Sequence, residues 1–495
     1  MTRFADPFED DDGQHPDALP SEPQSVADEP PEFNPEATRL HTAGVWWLAL
    51  TALLLFTAPR LGVKFGPLPI YAIDFPAAMA FLCAVSLPAR VAPPPRFLGF
   101  VGILVIFVII GEIAAIAYFG KVLEPIYALG RMLIAISLFY SAAQLVRTPD
   151  DLKPLLMAAV IGIIVTSSMM IFSSLPPTRG IAASVLTIRF LEPAAAGMAA
   201  HLTSAGDEGI RGSSLIGVSI LSGVFINVML PFALMLFRWP GSAAHWRFTA
   251  LLGLAIAPMG VLVSWSRGAI LGLLLVSGAL VTFGANKARG PILAGLALTG
   301  GLILWLGTDS DLLMVDRIEQ RTIAAVTNPY EDEREWERIL AYIEPFEHLA
   351  RNPQFLIVGE GSIAGRLSLD TAQHGKATHA IFAKGYYSYG LVAGLMYAWM
   401  PFIMLFYLFR ARTQVGGNSF AKDYATALIV AAVALTPWFA FGHAAISTAR
   451  GAMLAFLVLG LVASLRNFLS IAASEEPGRS LSIFNREDGL DEARQ

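Results

Sequence analysis

Eight ionisable side chains interrupt an otherwise apolar chain: Asp74, Glu112, Glu124, Arg131, Arg267, Lys384, His443 and Arg450. Inside hydrocarbon each costs at least about 2.5 to 3.5 kcal/mol on insertion scales, so each needs a partner or a task. Arginine outnumbers lysine among them, and Arg211 adds a guanidinium just ahead of a further apolar run. Guanidinium is weakly hydrated and grips phosphate oxygens in a fork, which makes a diphosphate headgroup the natural ligand chemistry. No His, Asp and Glu grouping has convincing metal-ligand spacing, and the single cysteine, Cys83, excludes a disulfide framework or a cysteine metal site within one chain. Arginines can take the place of a divalent ion at a diphosphate leaving group.

Membrane helices must position these groups. Of 495 residues 55% are hydrophobic and 15% charged, against roughly 25% charged in an ordinary soluble protein, which excludes a soluble globular enzyme. A hydrocarbon core of about 30 Å needs about 20 mostly apolar residues per helical span. The sequence offers 12 such segments, at about 42–59, 68–89, 97–118, 122–146, 152–173, 213–237, 246–265, 268–286, 290–307, 385–409, 423–447 and 450–466. Runs of this length fit helices in lipid better than buried strands, because a helix satisfies its own backbone. The expected fold class is an all-α polytopic membrane protein.

Lysine and arginine in the short loops set the orientation. With the N-terminus inside, the inner loops hold Arg90 and Arg96, Arg147 and Lys153, Arg238 and Arg247, Lys287 and Arg289, then Arg410, Arg412 and Lys422, with Arg466 last. The short outer loops hold fewer, chiefly Arg60, Lys64 and Lys121. Both termini are therefore expected in the cytoplasm, and the eight ionisable groups fall at or within the outer halves of their spans. Such a lopsided polar layer suits a site for a lipid-borne substrate. A carrier would place its charges near the midplane, between related halves.

Residues 1–40 contain eleven acidic and two basic residues and read as a disordered cytoplasmic tail. They lack the basic start and apolar stretch of a cleavable signal peptide, so the first hydrophobic segment is expected to remain as an anchor. Transmembrane helices 1–9 occupy 41–307, a large outer loop with short helices 308–384, transmembrane helices 10–12 occupy 385–466, and a second tail 467–495. Within the loop, Trp336, Leu340, Ile343 and Leu349 share one helical face, and Asn352-Pro353 should end that helix.

Each ionisable group also has a plainer reading. Arg267 and Arg450 each open an apolar span, where they could snorkel to headgroups. Arg131 lies deeper, about nine residues from the outer end of its span, where snorkelling is harder. Glu112 and Glu124 are expected to neutralise Arg131 and Lys121 rather than to do acid–base work. Asp74 reads as a polar cap or turn residue, and His443 as a hydrogen-bonded packing residue.

The stretch Val263-Ser264-Trp265-Ser266-Arg267-Gly268-Ala269 resembles the Ser-Arg-Gly signature of the O-antigen ligase and Wzy-type polysaccharide polymerase superfamily. Ala377-Thr378-His379-Ala380-Ile381-Phe382, followed by Gly385-Tyr386-Tyr387-Ser388-Tyr389-Gly390-Leu391-Val392-Ala393-Gly394, is similar to that family's His-Asn motif and the glycine-punctuated helix behind its large outer loop. Arg211-Gly212 is similar in placement to another basic family position. The likeness covers roughly residues 70 to 465. Alanine at 380 departs from the family's asparagine, and Asn352-Pro353 with Gly359-Glu360-Gly361 is similar to its Asn-Pro and glycine pair at a loosened spacing.

The resemblance implies a GT-C type membrane glycosyltransferase of the bacterial inner membrane, with its active site on the periplasmic side and no metal or cofactor. It implies His379 as general base and Arg267 and Arg211 as the diphosphate ligands, with Arg450 and Arg131 as further candidates. His374, close in sequence to His379, serves as the control. The implied donor is a glycan on undecaprenyl diphosphate, and the acceptor is lipid A core for a ligase or a second lipid-linked repeat for a polymerase. Membrane lipids are a further expected partner, and nucleic acid is not. A non-enzymatic polysaccharide or lipid transporter is the alternative from a different class.

Overall fold

The computed structural model describes residues 35–58, 62–65, 68–87, 95–175, 178, 181, 214, 219–239, 241–264, 266–283, 347, 350–363, 381–415, 419–441 and 449–475. Eleven long helices and one hairpin make up most of these residues. They are α1 (Pro35–Thr57), the strands β1 (Gly62–Phe65) and β2 (Leu68–Tyr71), α2 (Asp74–Ser86), α3 (Pro95–Phe119), α4 (Leu123–Leu145) and α5 (Pro149–Ser174). Then follow α6 (Ser219–Arg238), α7 (Ala244–Val263), α8 (Arg267–Phe283), α9 (Ile381–Gln414), α10 (Ser419–Phe441) and α11 (Ala449–Glu475). Among the described residues, eight helices are long and apolar enough to cross a membrane. The protein is an all-α polytopic membrane protein in its architecture. The expected span 290–307, the amphipathic stretch around Trp336 and most of both tails lie outside the described residues.

Two of the twelve expected spans need correction. Residues 68–89 are not one helix: β2 pairs antiparallel with β1, from Gly62 opposite Tyr71 to Phe65 opposite Leu68, and α2 follows with 13 residues. At 1.5 Å per residue α2 rises about 20 Å, short of a hydrocarbon core of about 30 Å. The physical reason is Phe65-Gly66-Pro67-Leu68-Pro69, where two prolines forbid a helix interior although the stretch is apolar. The expected span 385–409 lies inside a candidate span from Gly385 to Gln414 but is not one straight helix, because the backbone of α9 breaks at Gly390 (φ 80°, ψ −179°).

Burial follows the distribution of apolar residues around each helix. Every side chain from Leu221 to Leu236 in α6, and from Arg450 to Leu465 in α11, is buried. A helix apolar on all sides belongs at the centre of a bundle. The outer helices bury one face only. Ile103, Ile106, Ile110 and Ile113 of α3 and Trp399, Phe402 and Phe406 of α9 are exposed, and their spacing of three and four puts each set in a single stripe. Large apolar stripes turned outward are what a bilayer accepts and water does not.

Side chains from distant helices close helix ends. The last carbonyls of a helix have no intrahelical partner. At the end of α4, His41 Nε2 stands 2.9 Å from the Leu145 carbonyl, and Asn467 Nδ2 donates to Val146 at 2.7 Å. At the end of α1, Arg450 donates to the carbonyl of Ala58 at 2.7 Å and reaches Leu55 at 3.4 Å. A cation at a helix C-terminus also complements the helix dipole.

Candidate functional site

The most enclosed carboxylate among the described residues is Glu112, fully buried in the last third of α3. Its carboxylate accepts the backbone N–H of Ser362 at 3.1 and 3.2 Å, the Ser362 hydroxyl at 2.9 Å and the Tyr389 hydroxyl at 3.0 Å. An ionised carboxylate can only accept, so three donors from two segments suit it. This corrects the expected pairing of Glu112 with Arg131. Gly111 makes the approach possible, since a Cβ there would lie 2.8 Å from the Val358 carbonyl.

The segment that reaches Glu112 begins where a helix ends. Arg351, whose guanidinium lies 3.5 Å from Glu347, is helical, and Asn352-Pro353 leaves the helix as the sequence predicts. A 3-10 turn, Pro353–Phe355, seats Phe355 on Tyr118 and Phe119 at the end of α3. Gly359 and Gly361 then take φ of 71° and 70°, which glycine adopts without strain. A Cβ at Gly359 would collide with the backbone of Ser388 and Tyr389. Gly359-Glu360-Gly361 is therefore a turn shaped to lie against α9 and α3, and the 3-10 turn Gly361–Ile363 that follows touches α3, α4 and α9.

At Gly390 the chain reverses. Ile381–Tyr389 forms a short arm that folds back on the long arm: a Cβ at Gly394 would lie 2.7 Å from the Tyr386 Cα, and one at Gly385 would lie 2.8 Å from the Tyr397 ring. Both Gly385 and Gly394, expected to punctuate a helix, line this crossing. Two backbone bonds tie the hairpin to the glycine turn, from Glu360 N to Tyr387 O at 3.1 Å and from Leu391 N to Leu356 O at 2.9 Å.

The Ser-Arg-Gly segment joins α7 to α8. Ser264, fully buried, donates from its hydroxyl to Val261 at 2.6 Å and accepts the N–H of Ser266 at 3.2 Å. Ser266 caps α8, accepting the N–H of Ala269 at 3.3 Å, as serine does at an N-cap. Asn227 of α6 donates to the Ala269 carbonyl at 2.7 Å. Arg267 is the first residue of α8; its side chain lies outside the described atoms.

Arg131 meets Asp74. The guanidinium and carboxylate are 2.5 Å apart, each 11% exposed. Arg131 also lies over the rings of Tyr71 and Tyr127, at 4.3 and 5.1 Å, and its Nε donates to the Tyr127 hydroxyl at 3.1 Å. Asp74 opens α2 and accepts the Tyr71 N–H at 2.8 Å, which makes it the turn residue the sequence suggests and the partner it does not. Arg450 is engaged at the end of α1.

Arg211, His374, His379 and His443 lie outside the described residues, as does the side chain of Lys384. Sequence reasoning missed Ser362 and Tyr389 as partners of Glu112. The usable signal was Glu112 itself, since a carboxylate inside a span demands donors. Among the described residues no group of three or more His, Cys, Asp and Glu side chains is arranged to hold a metal ion. No family model matches the sequence, and no curated protein matches it significantly.

Proposed function

We propose that the chain is a membrane glycosyltransferase of the O-antigen ligase type, with a GT-C-like arrangement of helices. It transfers a glycan from undecaprenyl diphosphate to an acceptor hydroxyl at the periplasmic face of the bacterial inner membrane. The observation that supports this reading is the serine-braced turn between α7 and α8, which roots Arg267 at the first position of an apolar helix. In this reading Arg267 and Arg211 hold the diphosphate and stabilise the charge it gains as the bond to the anomeric carbon breaks. His379 takes the proton of the acceptor hydroxyl as its oxygen attacks that carbon. An imidazole with a pKa near 6.5 suits the step, and a positioned base contributes about 10² to 10⁴ in rate. Arg131 and Arg450 hold the neighbouring helix ends.

A polymerase uses the same donor chemistry with a second lipid-linked repeat as acceptor. The test is a deletion strain complemented with wild type, His379→Ala, Arg267→Ala and His374→Ala. The first two variants should abolish glycan transfer at unchanged protein level, and the third should restore it. Full transfer by both His379→Ala and Arg267→Ala overturns the reading. In the uncomplemented strain, full-length carrier-bound chains identify a ligase and accumulating single repeats a polymerase.

A further inference from the structure

We propose that Glu112 is a positioning residue for the transfer reaction, a role that rests on the glycosyltransferase reading. Its carboxylate fixes the Gly359–Ser362 turn and the short arm of α9 against α3 in one register. Glu112 is fully buried, and among the described residues its donors come from those two segments, so it acts through them and not on substrate. Apolar packing alone is a weak guide to the register here. The local cluster holds three buried residues, Phe355, Tyr386 and Tyr387, with Phe119 and Val358 against it, separate from the main core. Small satellite clusters of this kind lie under long loops, and Tyr389 beside it packs on the main core. Glu112 is the one group on α3 that receives hydrogen bonds from both segments among the described residues, and hydrogen bonds to a charged acceptor are directional and strong.

Replacement of Glu112 by glutamine tests the role with little change of volume. The amide is neutral and presents an NH₂ on one side, so a hydroxyl of Ser362 or Tyr389 there must turn from donor to acceptor, and the charge-assisted bonds are lost. Transfer is followed with a lipid-linked glycan donor and purified full-length protein. The turnover number of Glu112→Gln should fall about 10- to 100-fold, the scale of one charge-assisted hydrogen bond, with KM for the donor and thermal midpoint unchanged. Glu112→Asp should recover part of the rate, and Ser362→Ala and Tyr389→Phe should each give a smaller loss in the same direction.

A second readout does not depend on activity. Ser388 on the short arm is 3% exposed. In a Cys83→Ser background, Ser388→Cys should react slowly with a maleimide in membrane vesicles, and about tenfold faster once Glu112→Gln is added. Faster labelling with an unchanged turnover number reduces Glu112 to a fold contact and overturns the proposal, as does loss of activity that only tracks loss of folded protein. Unchanged labelling and unchanged turnover overturn it too. A wild-type protein inert towards every lipid-linked donor defeats the glycosyltransferase reading and the positioning role with it. An active wild type with an indifferent Glu112→Gln defeats the positioning role alone.

Discussion

Asp74 and Arg131, 57 positions apart, form an ion pair that joins the start of α2 to the middle of α4. Two tyrosine rings flank the guanidinium, and the carboxylate also holds the Tyr71 N–H, so the β1–β2 hairpin is stitched to the bundle through the same pair. Asp74→Ala should therefore destabilise the protein by about 3 kcal/mol, because it takes the carboxylate away from a mostly buried guanidinium. In Asp74→Ala/Arg131→Met the loss should be smaller than the sum of the two single losses by about 0.5 to 3 kcal/mol. Denaturant unfolding in detergent micelles reads both; strict additivity would refute the pairing argument.

Gly390 and Gly130 make a matched test of backbone geometry. At Gly390, φ is 80° and an added Cβ runs into the Ile357 carbonyl. Gly390→Ala should lose the fold-back of α9 and yield little monodisperse protein. Gly130, inside α4, has nothing within 4 Å of an added Cβ, and Gly130→Ala should gain about 0.5 to 1 kcal/mol from the lower entropy of the unfolded chain. Size-exclusion profiles and thermal midpoints compare them directly, and equal behaviour of the two variants would contradict the hairpin.

Ser266 separates bracing from chemistry. Its hydroxyl caps α8 and touches nothing else among the hydrogen bonds of the turn. Removing the cap by Ser266→Ala should cost about 1 kcal/mol of stability, seen as a lower melting midpoint. A midpoint identical to wild type would show that the turn holds without the cap.

Arg267→Lys keeps the charge and removes the fork. Where a guanidinium contacts a phosphate through two parallel N–H groups, lysine is a poor replacement. Transfer by this variant should drop at least about tenfold, with the thermal midpoint unchanged because Arg267 only begins its helix. Wild-type rates in the lysine variant would remove the bidentate contact from the proposed mechanism.

How much could be seen in advance depended on the kind of signal. The limits of α4 and α7, at Leu123–Leu145 and Ala244–Val263, differ from the expected 122–146 and 246–265 by two residues or fewer, because the length of an apolar run directly reflects the hydrocarbon it must cross. Hydropathy does not register backbone angles. It reads straight through Pro69 and through Gly390, so strand β2 and the reversal of α9 were both averaged into spans.

Charge pairing was the other weak guide. From sequence, Arg131 looked like the partner of Glu112. The folded chain brings Ser362 from 250 positions away to hydrogen-bond to it. Neutral donors at that separation leave no mark in local pattern, and a buried carboxylate is as well satisfied by N–H and O–H groups as by a guanidinium. Asp74 was legible because its task, at the first turn of α2, is a local one. Arg211 and His379, which the motifs single out, lie outside the described residues.

The bond from Arg450 to Ala58 spans 392 positions, and this sets an order of events during biosynthesis. At about 5 to 20 residues per second, a ribosome takes roughly 20 to 80 seconds to supply the arginine after Ala58 has emerged. Through that interval the exposed end of the first helix must be served by water or lipid headgroups. Closure of the whole assembly thus waits on its last helix, and chains stalled before residue 450 should present an open seam to quality-control proteases.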